Sequence, residues 1–101
     1  MPKFHDNVPA VLRAAADRIE RDGWVQGGDG TLGAQRCMMR ALADECIGDD
    51  EFFAAKGALE RFVRPGSAPL SRWNDHPDRT VGDVLGALRG AAACVEGSRP
   101  W

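Results

Sequence analysis

The sequence predicts an all-α fold, a compact bundle of about four short helices with a glycine-rich loop between the first and the second. Three observations predict it. Apolar residues recur at helical spacing in four separate stretches, glycine and proline punctuate the chain between those stretches, and the apolar faces are rich in alanine, which favours close helix packing. A length of 101 residues suits one domain and is too short for two good cores. The expected ordered core covers residues 8–96, with a mobile tail over 97–101.

The first helix is expected over residues 8–22. Val11, Leu12, Ala15, Ala16 and Ile19 make its apolar stripe, Asp6 or Asn7 can cap its start, and Pro9 suits its first turn. Gly23 fits the left-handed position past its end, after which Trp24 should fold back onto the core. Residues 26–33, Gln26-Gly27-Gly28-Asp29-Gly30-Thr31-Leu32-Gly33, are too rich in glycine for a stable helix and read as a loop.

The second helix is expected over residues 34–47, with Ala34, Cys37, Met38, Ala41 and Leu42 on one face. Gly48 ends it, and Asp49 or Asp50 caps a third helix that runs to residue 63. Phe52, Phe53, Leu59, Phe62 and Val63 are its apolar residues, and Pro65 and Gly66 terminate it. Residues 70–75 fit a short helical turn, and residues 76–79 a loop. Thr80 then reads as an N-cap that Asp83 answers, three residues on, opening a final helix striped with Val81, Val84, Leu85, Leu88, Ala92 and Val95 and ending near Gly97.

Composition bounds the function classes. Hydrophobic residues at 44% and charged residues at 28% are ordinary for a globular domain. A net charge of -2 and an isoelectric point near 5.6 speak against binding nucleic acid by phosphate neutralisation. Arg13, Arg18 and Arg21 alternate with Asp17, Glu20 and Asp22, the pattern of a solvated helix face with local ion pairs. No apolar run reaches the roughly 20 residues of a membrane span, and no leader is visible, so the cytoplasm is the expected compartment. Lys3 and Lys56 are the only lysines, a bias that points to a GC-rich bacterial or phage genome.

Four groups of residues can carry chemistry. Cys37 lies near a helix start, where a thiolate is favoured; His76 or His5 could serve it as base, Asn74 or Asp75 could orient that base, and Gln26 could face an oxyanion. Its placement on the face of Met38, Ala41 and Leu42 equally suits an inert core thiol. The segment Trp73-Asn74-Asp75-His76-Pro77-Asp78-Arg79-Thr80 reads either as a recognition surface anchored by Trp73 and Arg79, or as a structural element in which Trp73 plugs the core and Asn74 and Asp75 bond loop amides. Phe52, Phe53 and Phe62 with Met38 and Met39 suit either the core or a groove for a partner helix, and an apolar remainder at the surface would favour self-association. Arg36, Arg40, Arg61 and Arg64 could cluster as a basic face.

Other motifs are absent. The glycine-rich loop lacks the phosphate-loop pattern, and the acidic Asp44, Glu45, Asp49, Asp50 and Glu51 lack the order of a calcium loop. Cys37, Cys46 and Cys94 have no metal-site spacing and read as reduced thiols. No cofactor and no metal are expected.

Trp24-Val25-Gln26-Gly27 after the alanine-rich Leu12-Arg13-Ala14-Ala15-Ala16-Asp17, then Cys37-Met38-Met39-Arg40-Ala41-Leu42, then Trp73-Asn74-Asp75 with Arg79-Thr80 and Val84, form an ordered pattern. In this order the chain resembles an uncharacterised family of short actinobacterial and actinophage proteins, a domain of unknown function, over about residues 11–93. The resemblance implies a single domain and that source, and lends no catalytic residues; His76 is outside the pattern. The expectation is a non-enzymatic interaction protein that binds a host protein or itself, with Trp24, Gln26, Trp73, Asn74, Asp75 and Arg79 as its binding residues. The alternatives are a small thiol enzyme or redox protein using Cys37 and a nucleic-acid-associated regulator.

Overall fold

The computed structural model describes residues 4–26, 37–46, 48–63 and 70–97. They form five helices, α1 (Phe4–Asp22), α2 (Met38–Glu45), α3 (Asp49–Val63), α4 (Leu70–Asn74) and α5 (Val81–Gly97), with no strand among the described residues. The all-helical prediction holds, with the expected short turn standing as a fifth, five-residue helix.

α1 is the hub of the bundle. It packs against α5, α2 and α3, and α3 in turn packs against α5. The predicted stripe of Val11, Leu12, Ala15, Ala16 and Ile19 is buried, and it meets Met38, Ala41 and Leu42 of α2, Ala55, Ala58 and Leu59 of α3, and Val84, Leu88, Ala91 and Ala92 of α5 in one core. Alanine on these faces adds little bulk between the helices, which allows their backbones to approach closely. The core accommodates only part of the aromatic content: Phe52 is half-buried, whereas Phe53 and Phe62 are 62% and 42% exposed.

Several boundaries differ from the sequence reading. α1 starts at Phe4 instead of residue 8, so Asp6 and Asn7 lie within it and not at its start. Pro9 then falls in its second turn; its missing amide removes only the bond to the His5 carbonyl, near an end where bonding is already incomplete. α2 is shorter than expected because Cys37 is extended (φ -74°, ψ 167°) and acts as its N-cap, and Cys46 (φ -84°, ψ 146°) ends it. Residue 48, not Asp49 or Asp50, precedes α3: the Gly48 carbonyl accepts from the Phe52 amide, and both aspartates sit in the first turn, where they favour the positive helix end. The glycine-rich loop at 27–33, residues 34–36 and the tail from 98 onward lie outside the described residues.

The charged face of α1 also departs from the local pairing expected. Arg21 does pair with Asp22, but Arg13 makes a two-pronged pair with Glu96 of α5 (2.6 and 2.7 Å), and Arg18 reaches Glu45 of α2 at 2.7 Å. Arg89 of α5 returns to Asp17 and Glu20, at 3.0 Å each. These partners come from neighbouring helices because α1 is flanked on both sides, which sequence spacing along one helix does not reveal.

Candidate functional site

The two segments singled out in the sequence, around Trp24 and around Trp73, come together in space. Their meeting begins at Gly23. Its φ of 102° is left-handed, and its amide bonds the Ile19 carbonyl at 2.8 Å, so α1 stops and the chain turns back. Trp24 thereby packs against the core and aims its indole at the end of α4.

There it meets Asn74, a fully buried polar side chain. The Asn74 Oδ1 accepts from the Trp24 indole Nε1 at 2.7 Å and from the Met38 amide at 3.0 Å. Its Nδ2 donates to the Val25 carbonyl at 3.2 Å and to Asp75 Oδ1 at 3.0 Å. Two donors and two acceptor positions are all that a carboxamide offers, and all are used. Burial of a carboxamide is tolerated because no part of it is left unpaired. Met38 contributes the first amide of α2, one of the helix donors with no partner inside the helix, so Asn74 caps α2 across 36 residues of sequence. Cys37 takes a second such amide, its Sγ accepting from Arg40 at 3.3 Å.

Gln26 completes the outer side of this latch. Its Nε2 donates to the carbonyls of Asn74 (2.9 Å) and His76 (2.8 Å). Arg79 closes the other end, with its Nε on the Trp73 carbonyl at 2.9 Å and its guanidinium 3.7 Å from the centroid of the Trp73 ring. The intervening turn is bonded throughout: Asp75 to Arg72, His76 to Trp73, Arg79 to His76, and the Asp78 amide to His76 Nδ1. α5 then opens on the predicted capping box, with Asp83 N donating to Thr80 Oγ1 (3.1 Å) and Thr80 N to Asp83 Oδ2 (3.0 Å).

All six residues expected to bind a partner therefore belong to one cluster. Within it, Trp24, Asn74 and Arg79 direct polar groups inward, whereas Gln26, Asp75, His76, Pro77 and Asp78 are exposed. Spacing along the sequence does not reveal that the Trp24 and Trp73 segments meet, nor that Asn74 is the bond that unites them. The recurrence of both segments in one pattern was the available signal.

The thiol candidate has different surroundings. Cys37 is only 8% exposed, and its sulfur already serves as a cap. His76 spends its Nδ1 on the Asp78 amide. Cys46 lines a pocket of about 310 Å³ with Ala43, Gly48, Asp49 and Phe52. Burial, helped by Glu51 and Glu45, pushes its thiol up to about 11. Of the arginines considered as a basic face, Arg40 pairs with Asp44 at 3.4 Å and Arg61 is exposed on α3, while residues 36 and 64 are not described. Among the described residues no three His, Cys, Asp or Glu side chains come together as a metal site, and no helix is long and apolar enough to cross a membrane.

Comparison with curated proteins and with solved structures finds no match. The model of a family of unknown function, DUF6197, matches residues 3–94, a span that includes the whole latch, and the chain belongs to that family.

Proposed function

We propose that this chain is a non-enzymatic interaction protein, of actinobacterial or phage origin and acting in the cytoplasm, that meets a protein partner with the exposed turn at residues 75–78 and Gln26 beside it. One observation carries the reading: a polar turn is tied down by a latch whose central side chain, Asn74, is buried and fully bonded. A preorganised turn loses little entropy on binding, so its exposed Asp75, His76, Pro77 and Asp78 are presented at low cost. The half-buried Trp73 and Arg79 at its base are of the types that anchor interfaces. The arginine-rich, lysine-poor composition supports the source, and three thiols without a disulfide suit a reducing compartment.

The test is capture of a partner from an actinobacterial lysate by the tagged protein, beside His76→Ala and Asp78→Arg variants. The Asp78→Arg substitution lies outside the latch and should leave the thermal melt unchanged, whereas His76→Ala also removes the acceptor of the Asp78 amide and is compared once its melt shows a folded protein. A stoichiometric partner held by the wild type and lost by the folded variants is expected. Equal capture by all three proteins would place the contact elsewhere and refute this surface.

A second reading, a thiol enzyme or redox protein, draws on the Cys37 sulfur at the start of α2, where helix amides favour a thiolate. Its burial and its capping bond weigh against it.

A further inference from the structure

The outward face of α3 carries a pattern that the latch does not use. Asp50 and Phe53 are exposed near its N-terminus, Gly57 is half-exposed one turn later, and Arg61 is exposed near its C-terminus. Phe53 is the most exposed large apolar side chain among the described residues, at 62%, and its only aromatic neighbour there is the edge of Phe52 at 5.6 Å. Gly57 leaves a notch: apart from its chain neighbours and the helix's own backbone, the one heavy atom among the described residues within 4 Å of a Cβ built there is the far end of the Arg61 side chain, at 3.5 Å. A glycine in a helix interior weakens the helix relative to alanine, and no close approach among the described residues requires one at this position. Asp50 and Arg61 have no ion-pair partner among the described residues, unlike Lys56 and Glu60 between them, which pair at 3.7 Å.

We infer that this face pairs with the same face of a second copy, with the two α3 helices antiparallel about a two-fold axis. The charges argue for that occupant. A helix that is acidic at its start and basic at its end is complementary to itself when reversed, so Asp50 of one copy faces Arg61 of the other, twice. The same reversal carries the Phe53 ring of each copy to the neighbourhood of the other's Gly57, a protruding ring set beside a missing side chain. Arg61, which lies over the notch in the monomer, swings off it to reach the opposing Asp50. The contact uses a different face from the 75–78 turn and does not rest on the partner-binding reading. A contact of one short helix pair is smaller than the roughly 800 Å² per partner of a standard interface, so the dimer is a weak one.

Sedimentation equilibrium over about 10 µM to about 1 mM tests the pairing, since a small interface should populate the dimer in that range. The wild type is expected to pass from monomer to dimer. Phe53→Ser should weaken the dimer by at least about tenfold, as loss of a central anchor does. Arg61→Asp should weaken it as well, and adding Asp50→Arg to that variant should restore it. Circular dichroism on each variant confirms that the helices persist. A wild type that stays monomeric throughout would overturn the inference. So would a folded Asp50→Arg, Arg61→Asp double variant no better associated than Arg61→Asp alone, because the antiparallel register requires the rescue.

Discussion

Asn74 shows how one side chain can hold three stretches of chain that are far apart in sequence. Its four bonds join the segment after α1, the start of α2 and the turn after α4. A hydrophobic residue of similar size would leave the Trp24 indole and the Met38 amide unbonded in the interior, so Asn74 is not replaceable by apolar packing alone. The cysteines are as sharply differentiated. Cys94 is exposed, Cys37 is buried, and Cys46 has its thiol raised to about 11 by desolvation first and then by Glu51 and Glu45. At pH 8 a thiol of that kind is ionised to only about one part in a thousand, and the thiolate is the reactive form. Iodoacetamide on the native protein at pH 8 should therefore modify Cys94 first, with Cys46 slow and the buried Cys37 protected until the protein unfolds. Labelling of Cys46 should rise only as pH climbs toward its raised value. Peptide mapping of a timed reaction reads the order, and Cys37 reacting fastest near neutral pH would instead support thiol chemistry.

Among the helices, the glycines of α5 separate two roles that sequence alone merges. Gly90 sits under the ring of Phe62 from α3, and a methyl group added there would overlap the ring. Beyond its own helix backbone and chain neighbours, Gly86 has nothing among the described residues within 4 Å of where a Cβ would stand. Gly86→Ala should thus raise stability by about 0.5–1 kcal/mol, the helix-propensity gain. Gly90→Ala should show no gain and a net loss of about 1 kcal/mol, because the ring must be displaced from its packing. Thermal melts of the two variants give the comparison, and an equal gain from both would deny the close approach of α3 and α5. Element identity was legible in the sequence because apolar spacing, Gly23, Gly48 and the Thr80–Asp83 box act locally. The start of α2 was not, because Asn74, a residue far along the chain, supplies the cap that lets the helix begin at Met38.

For the molecule as a whole, the same division holds. The core stripe of α1 could be read from its spacing, since burial repeats every turn. The cross-helix ion pairs of Arg13, Arg18 and Arg89 could not, because they depend on which helices are neighbours. The Arg13 and Arg89 pairs are solvent-exposed, and pairs of that kind contribute little to stability each, while the Arg18–Glu45 pair is part-buried. The candidate site lay between these cases: Trp24, Gln26, Trp73 and Arg79 were all marked in the sequence, but the fold alone brings Trp24 to the buried Asn74 carboxamide, Gln26 to the Asn74 carbonyl and Arg79 onto Trp73. If that carboxamide is the bolt of the structure, its loss must be felt globally. The deciding measurement is urea unfolding of the wild type and of Asn74→Ala, followed by tryptophan fluorescence and far-ultraviolet circular dichroism. Removal of the latch should lower the unfolding free energy by about 3 kcal/mol, through the buried donors it leaves unpaired, with both signals falling in one transition. A variant within about 0.5 kcal/mol of the wild type, the range of an ordinary surface substitution, would contradict the role given to Asn74 and to the turn it holds.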